Sequence, residues 1–599
     1  MLSDIVNNLI LVNLALLFCS FYQILITSYS KTAISIYKIS FIFNSIIFAI
    51  LTWAFLYSDF SIENVFLFSS TILPTMYKIG AIWSSSQGSM LFFTFLFSLI
   101  SIISLYYNNL DEYGKRIFTM LSAAICFIFL SNIYLFNNPF ISLKSSMHQG
   151  MGLTAVLQDA ALLIHPPILY LGYIFLFPPM AFAVIILFKA DYLKKLLPKI
   201  LLWSKFSWGF LTIGITLGSL WAYRELGWGG YWFFDPVENA SLLPWLMVTQ
   251  LYHCCLISIK SQKFYKTTIS FAILSFCMVL LSIFFVRSGL LVSVHSFAND
   301  PLSCIYLFCS LAVFIFYALA ILLLNIHKMD QNKTYAPDSL IKISIILFIS
   351  ASVIILTSII YPLSWELLGG QKVTIGIEFF INILLPIFCL IALLASFIYN
   401  KKSYFIICTI FSIIAIIFLV KLQIHFVAAI GLLCSSALII SSILLLFYKT
   451  DRGIIKVSKI FLGHFGYACL ILFITLNSIL QEEINFSGKE NDAIIFRNLN
   501  IKLHDVTYSQ QDNYYKQQTN FWINIIDSNK YIILSPENRL YKIENTMLPE
   551  VAIKHFWFYD LYSILNFSKD DTINVTFYYK PFMSFIWFSI VLISLGILL

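Results

Sequence analysis

"TTISFAILSFCMVLLSIFFV", residues 267–286, is a run without charge between Lys266 and Arg287. A helix needs about 20 consecutive apolar residues to cross the hydrocarbon core of a bilayer, so this run predicts a transmembrane helix. The whole 599-residue chain is also apolar, since 60% of its residues are hydrophobic and 11% are charged. A mean hydropathy of +0.87 excludes a soluble globular protein of this length.

Runs of this kind recur along the chain and predict an all-α polytopic membrane protein with about fifteen transmembrane helices. They lie near residues 4–27, 36–57, 88–106, 117–136, 160–188, 202–221, 242–259, 267–287, 302–326, 343–361, 379–399, 404–420, 425–447, 460–480 and 580–599. We expect the first run to be retained as a helix, because no small-residue cleavage pattern follows it.

Positive charges concentrate in alternate loops, which predicts that these loops are cytoplasmic. The loops contain Lys31, Lys38, Lys115, Arg116, Lys189, Lys194, Lys195, Lys199, Lys205, Lys260, Lys263, Lys266, Lys328, Lys333, Lys401, Lys402, Lys449, Arg452, Lys456 and Lys459. The net charge of +8 therefore reflects topology, and no nucleic-acid partner is expected. A bacterial and a mitochondrial inner membrane both stay open, and we favour the bacterial one with its periplasm outside.

The character of the chain changes at residues 481–579, where polar residues return and segments such as "NFWINIID" alternate. This pattern predicts a small β-rich domain on the outer side of the membrane. The expected organisation is a membrane domain over 1–480, this domain over 481–579 and a C-terminal transmembrane helix over 580–599. Eleven cysteines occur, none of them in the β-rich domain, and no CxxC spacing is present. The cysteines are interpreted as packing residues.

An aromatic loop at about 222–245, on the outer side, contains "WGGYWFFDPVENASLLPW", residues 228–245. An interfacial aromatic belt explains isolated aromatics, but this density predicts a shelf for a large planar ligand. The candidate ligand-binding residues of the loop are Trp228, Gly229, Gly230, Tyr231, Trp232, Phe233, Asp235, Glu238 and Asn239. Capping of the following helix is the alternative role of Asp235 and Glu238.

Four histidines indicate that the planar ligand is haem. His165 in "LLIHPPILYLGY" and His295 in "VRSGLLVSVHSFANDP" flank the loop on the outer side, as axial ligands would. His253 and His464 fall in the cytoplasmic halves of their helices, where an intramembrane histidine suggests a functional site, here a second haem. A structural, hydrogen-bonded histidine is the alternative for each. Zinc is disfavoured, because neither HExxH nor CxxC occurs.

Two arginines on the outer side, Arg224 and Arg287, are candidate partners of the haem propionates. The alternative partner of each guanidinium is a lipid phosphate or a nearby carboxylate.

The loop, together with "LPTMYKIGAIWSSSQGSMLF", "LQDAALLIHPPILYLGY", "FVRSGLLVSVHSFAND", "YPLSWELLGGQKVTIGIEFF", "GHFGYACLI" and "YKPFMSFIW", resembles the CcmF family over nearly the full length. This is the haem lyase family of cytochrome c biogenesis, with a tryptophan-rich WWD motif. Family members usually carry Trp at the position of Phe234.

The resemblance implies that His165 and His295 ligate a transient haem at the outer WWD site, and that His253 and His464 ligate a stable haem b in the membrane. It also implies that haem arrives on the chaperone CcmE and is attached to the CxxCH motif of an apocytochrome c presented by CcmH. Quinol is the candidate electron donor. Two alternatives stay open: a membrane haem exporter, and a paralogue dedicated to one special cytochrome.

Overall fold

The computed structural model describes residues 2–26, 30–145, 147–289, 291, 293, 301–329, 339–398, 426–447, 454–525, 531–566 and 572–599. Within these ranges the α-helices are α1 Leu2–Ile26, α2 Ser30–Leu56, α3 Glu63–Phe68, α4 Thr75–Ser84, α5 Ser86–Tyr107, α6 Glu112–Leu135, α7 Ala160–Ile174, α8 Phe177–Phe188, α9 Leu193–Glu225, α10 Pro236–Ser261, α11 Tyr265–Arg287, α12 Pro301–Asn325, α13 Ser339–Leu367, α14 Ile377–Ile398, α15 Phe426–Phe447, α16 Ile454–Leu480 and α17 Met583–Leu598.

The helices confirm the predicted fold class, a polytopic helical protein with a β-domain before its last helix. Thirteen helical segments of the described chain are long and apolar enough to cross a membrane. Helix α17 is also apolar but shorter, with 16 residues. The predicted span at 404–420 lies outside the described residues.

The predicted span at 160–188 is divided between α7 and α8. Pro178 and Pro179 occupy the first turn of α8. Proline has no amide hydrogen to donate and disfavours a helical conformation in the residue before it, so a new helix begins here more readily than the old one continues.

The chain forms two compact units that differ from the sequence-based division. The first consists of residues 1–153, 162–215 and 234–375, and the second of residues 154–161, 216–233 and 376–599. In the first unit α1 packs against α2 and α6, and α10 packs against α11 and α13. In the second unit α16 packs against both α15 and α17. Helix α9 contributes its last ten residues, 216–225, to the second unit.

The β-domain is a two-sheet sandwich. Its strands are β1 Glu482–Gly488, β2 Ala493–Phe496, β3 Leu499–Gln510, β4 Tyr514–Ile525, β5 Tyr531–Leu534, β6 Glu537–Tyr541, β7 Met547–Glu550, β8 Ala552–His555, β9 Tyr559–Asn566 and β10 Ile573–Pro581. One sheet has the order β1-β10-β9-β8, and the other has the order β2-β3-β4-β6-β7 with β5 paired to β4. Alternate residues of β3 and β4, such as Ile501 and Phe521, are fully buried in the shared core.

Candidate functional site

The aromatic strip, residues 228–233, lies between the C-terminal end of α9 and the N-terminus of α10. The first turn of α10 is closed by a capping box: the Asp235 carboxylate accepts from the amide of Val237 at 2.7 Å, and Glu238 accepts from the amide of Asp235 at 3.0 Å. The Ser293 hydroxyl also donates to Asp235, at 2.9 Å. The structure therefore gives Asp235 and Glu238 the capping role considered as their alternative.

The backbone before this cap is held in an unusual conformation. Phe234 has a φ of +54°, a left-handed value that is uncommon for a residue with a side chain. Its carbonyl accepts a hydrogen bond of 2.8 Å from the side-chain amide of Asn239. Asn239 is buried, so it acts as a clamp on the turn that joins the strip to α10.

Two glycines let the strip lie directly on the sandwich within the second unit. Gly227 and Gly229 have φ values of +71° and +63°. A Cβ atom at Gly229 would lie 3.1 Å from the ring of Tyr578 on β10, and one at Gly227 would lie 2.0 Å from the Cδ1 atom of Ile564 on β9. Strands β9 and β10 therefore form a floor beneath the strip, and glycine is required by both the contact and the backbone.

The aromatic rings of the strip are arranged around this floor. Tyr231 packs edge-on against Trp587 of α17, with ring centroids 5.9 Å apart. Trp228 is 51% exposed and meets Phe233 edge-to-face at 4.8 Å. Because Trp228 is half exposed while the strip rests on β9 and β10, its ring offers an aromatic face on which a planar ligand can stack.

Substitution of Gly229 tests the floor. Gly229→Ala is expected to loosen the strip, because it adds the left-handed backbone cost of about 1–2 kcal/mol and a close contact with Tyr578. Gly369→Ala is the matched control, since Gly369 has a φ of +84° and no atom within 4 Å of the added Cβ. The measurement is the rate of limited proteolysis within residues 226–234. Equal rates in the two variants would contradict a floor made by Tyr578.

A polar network ties residues 154–161 to the end of α9 and to the sandwich. The Arg224 guanidinium donates to both carboxylate oxygens of Asp159, at 2.5 and 2.7 Å. Gln158 donates to Glu544 at 3.2 Å and accepts from Asn513 at 2.7 Å. Burial raises the pKa of Glu544. The nearby carboxylate, given as the alternative partner of Arg224, is thus the one observed.

Asp560 is a second link in the same unit. It is almost completely buried and accepts hydrogen bonds from the Tyr223 hydroxyl at 3.1 Å and from the His555 imidazole at 2.8 Å. The hydrogen bond to Asp560 raises the pKa of His555. One carboxylate therefore joins the last turn of α9 to the β8–β9 hairpin.

His165 lies on α7 in the first unit, and its Nδ1 atom is 2.8 Å from the carbonyl oxygen of Gly214 on α9. The two helices approach closely there, because a Cβ at Gly214 would lie 2.9 Å from the Cα of Leu169. A carbonyl can only accept, so Nδ1 carries a hydrogen, and in the neutral ring Nε2 is the nitrogen that carries none.

His253 and His464 have the same arrangement, each within its own helix. Their Nδ1 atoms lie 2.7 Å from the Thr249 carbonyl and 2.9 Å from the Ile460 carbonyl. His253 lies eight residues before the end of α10, and His464 lies ten residues after the start of α16. In both, Nε2 is the nitrogen that can ligate a metal, with the hydrogen bond orienting the ring.

Arg287 and His295 are the remaining predicted haem-binding residues outside the aromatic loop. Arg287 donates to the Ser86 carbonyl at 2.9 Å and lies 3.5 Å from the Tyr170 hydroxyl in the first unit. His295 lies outside the described residues. Within the described ranges, no group of three or more His, Cys, Asp or Glu side chains is placed to hold a metal ion.

Comparison with known proteins assigns the chain to a family. The model of the Cytochrome C assembly protein family matches residues 83–291, and that of the CcmF C-terminal beta-sandwich matches residues 480–581. The chain is 31% identical over 584 residues to the cytochrome c-type biogenesis protein CcmF of Haemophilus influenzae, with 93% of this chain and 90% of that protein covered. The chain belongs to the CcmF family.

Two further similarities extend over different lengths of the CcmF-family chain. The cytochrome c-type biogenesis protein CycK of Rhizobium meliloti is 37% identical over 341 residues, which are 56% of this chain and only 50% of CycK. A solved structure described as "Cytochrome c Heme Lyase CcmF" superposes with a TM-score of 0.82 at 19% identity, covering 100% of this chain and 97% of that one. At this identity the superposition establishes the fold.

Several residues that support the strip of this CcmF-family chain are not predicted from its sequence. Tyr578, Ile564, Asp159 and Asp560 are brought to the strip or to the end of α9 by contacts that carry no local pattern. The available signal was the glycine spacing of Gly227 and Gly229, which indicates a close backbone approach but not its partner.

Proposed function

We propose that this CcmF-family chain is the haem lyase component that receives haem from the chaperone CcmE and positions it for attachment to apocytochrome c presented by CcmH. In this proposal the strip and the sandwich face the periplasm of a bacterial inner membrane. His165 and His295 ligate the arriving haem, which is a substrate, and Trp228, Tyr231, Trp232 and Phe233 support its ring.

The observation that carries the proposal is a hydrogen bond shared by His165, His253 and His464. Each ring is fixed through Nδ1 by a backbone carbonyl at 2.7–2.9 Å, which selects the tautomer that ligates iron through Nε2. In each of the three rings the same nitrogen is thereby oriented for ligation, which is the arrangement that an axial ligand of haem iron requires.

The chemistry needs positioning rather than an acid–base pair. Each cysteine S–H adds across a haem vinyl group: the sulfur bonds to one vinyl carbon, the hydrogen ends on the other, and no net oxidation occurs. The chain holds the iron through His165 and His295 and orients the vinyl edge with the strip. The contact between Gly229 and the ring of Tyr578 holds the strip against β10, so the substrate meets a preorganised surface.

Haem b in the membrane would be held by His253 and His464, and the tautomer of each residue fits this role. When bound, haem b supplies one-electron transfer, with quinol as the proposed donor, which would keep the outer iron reduced. Trp208 and Tyr252 pack edge-on against His253, with centroids at 5.7 and 5.6 Å, and limit rotation of its ring.

The proposal is tested in cells that lack their own CcmF and carry this chain with its partner proteins. An aromatic contact is worth about 0.5–1.5 kcal/mol, so Trp228→Ala is expected to lower covalent haem on c-type cytochromes by about two- to tenfold. Tyr508→Ala removes a ring of the sandwich that is exposed even more, at 76%, and is the control. Haem staining of gels gives the yield. Unchanged cytochromes with reduced haem outside the cell would instead favour an exporter.

A further inference from the structure

The β8–β9 hairpin of the sandwich ends in an exposed aromatic tip, Trp557 and Phe558. Trp557 is 85% exposed and Phe558 is 63% exposed. Single exposed apolar residues are common on protein surfaces, but two adjacent large rings at the end of a hairpin indicate an interaction site.

The tip is rigid, so its exposure does not come from a loose loop. The amide of Phe556 donates to the carbonyl of Tyr559 at 2.9 Å and closes the turn. The rings of Phe556 and Tyr559 stack at 4.5 Å. Below the turn, His555 and Asp560 form a pair across the two strands at 2.8 Å.

The position of the tip is fixed relative to α17. The amide of Phe582, the residue before this helix, donates to the carbonyl of Phe558 at 2.7 Å. The ring of Phe558 stacks on that of Phe585 in the first turn, with centroids 5.8 Å apart. The tip of the hairpin therefore lies beside the start of the apolar helix α17.

Helix α16 locates this point relative to a candidate transmembrane span. Phe473 contacts Phe582 at 5.6 Å and Phe585 at 4.9 Å between ring centroids. Phe473 lies seven residues before Leu480, inside the candidate span Val457–Leu480. At 1.5 Å per residue it is about 10 Å below the end of that helix. The hairpin thus reaches the level of the last turns of a candidate transmembrane span.

We propose that the aromatic tip inserts into the outer leaflet of the bilayer and anchors the sandwich to the membrane surface. Tryptophan and phenylalanine are favoured at the boundary between headgroups and acyl chains. Lys554 and His555 of β8 and Asp560 of β9 lie on the strand side of the tip, where the headgroups would be. The partner is phospholipid, and the anchor does not depend on haem binding.

The test places a thiol at the tip of the full chain in nanodiscs of phosphatidylcholine and phosphatidylglycerol. Trp557→Cys is compared with Tyr508→Cys, which is 76% exposed on β3 of the same domain, after subtraction of the wild-type background. Reaction with a charged, membrane-impermeant maleimide is expected to be about tenfold slower at position 557 than at 508. Equal rates would overturn the proposal.

A second measurement separates insertion from burial by protein. A nitroxide attached at position 557 is expected to collide more often with oxygen, which dissolves in acyl chains, than with a water-soluble nickel chelate. Higher accessibility to the nickel chelate, or poor accessibility to both, would overturn membrane insertion. Substitution of a residue that is 85% exposed leaves the packing of the sandwich intact.

Discussion

His253→Ala and His464→Ala are each expected to abolish the low-spin b-type absorption of the purified protein. Loss of one axial nitrogen leaves haem b without a complete ligand pair, so occupancy is expected to fall by about tenfold or more. The measurement is an absorption spectrum of the detergent-solubilised protein, oxidised and then reduced with dithionite. His327→Ala, at an exposed 3₁₀ turn after α12, is the control and is expected to retain the spectrum.

Chemical rescue separates ligation from packing. In His253→Gly and His464→Gly, added imidazole is expected to restore the low-spin spectrum, because a free ring can occupy the space of the missing side chain. A structural histidine would not be rescued in this way. A wild-type protein without haem, made in cells with ample haem, would contradict the assignment of both residues and remove the redox part of the proposed function.

His165→Ala is expected to retain the membrane b-type spectrum, unlike His253→Ala and His464→Ala. Covalent haem on c-type cytochromes is expected to fall by more than about tenfold. The reason is that His165 is proposed to ligate the transient outer haem and lies on α7, away in sequence from both residues proposed to ligate haem b. The two measurements are haem staining of cytochromes and the spectrum of the same purified variant.

A glycine variant on α9 tests whether orientation of His165 matters. Gly214→Ala places a Cβ 2.9 Å from the Leu169 backbone, which forces α7 and α9 apart at the carbonyl that fixes His165. Lower cytochrome maturation with an intact histidine is expected. If His165→Ala matured cytochromes normally, the outer site would need a different ligand, whatever the result for Gly214→Ala.

Local and periodic features of the fold are predictable from the sequence. Long apolar runs predict the helices, because a chain that crosses the hydrocarbon core must satisfy its backbone hydrogen bonds internally and needs about 20 apolar residues to do so as a helix. Alternation in segments such as residues 520–527 predicts the sandwich because successive side chains of a strand face opposite sides. The capping box of α10 is also readable, since Asp235 is followed by proline and then by Glu238.

Long-range features are not predictable in the same way. The sequence places a boundary near residue 480, whereas the second compact unit combines residues 154–161 and 216–233 with 376–599. The contacts responsible join residues hundreds of positions apart, as between Gln158 and Asn513 or between Tyr223 and Asp560. Hydrophobic periodicity reports only which face of an element is buried and carries no information about the partner.

The carboxylate of Asp560 is shared between the β8–β9 hairpin and the segment that leads into the strip. It binds His555, two residues from Trp557, and Tyr223, five residues before Trp228. Because both bonds end on one buried side chain, the hairpin and the last turn of α9 cannot shift independently without breaking a hydrogen bond. The position of the hairpin is therefore coupled to that of the residues that precede Trp228.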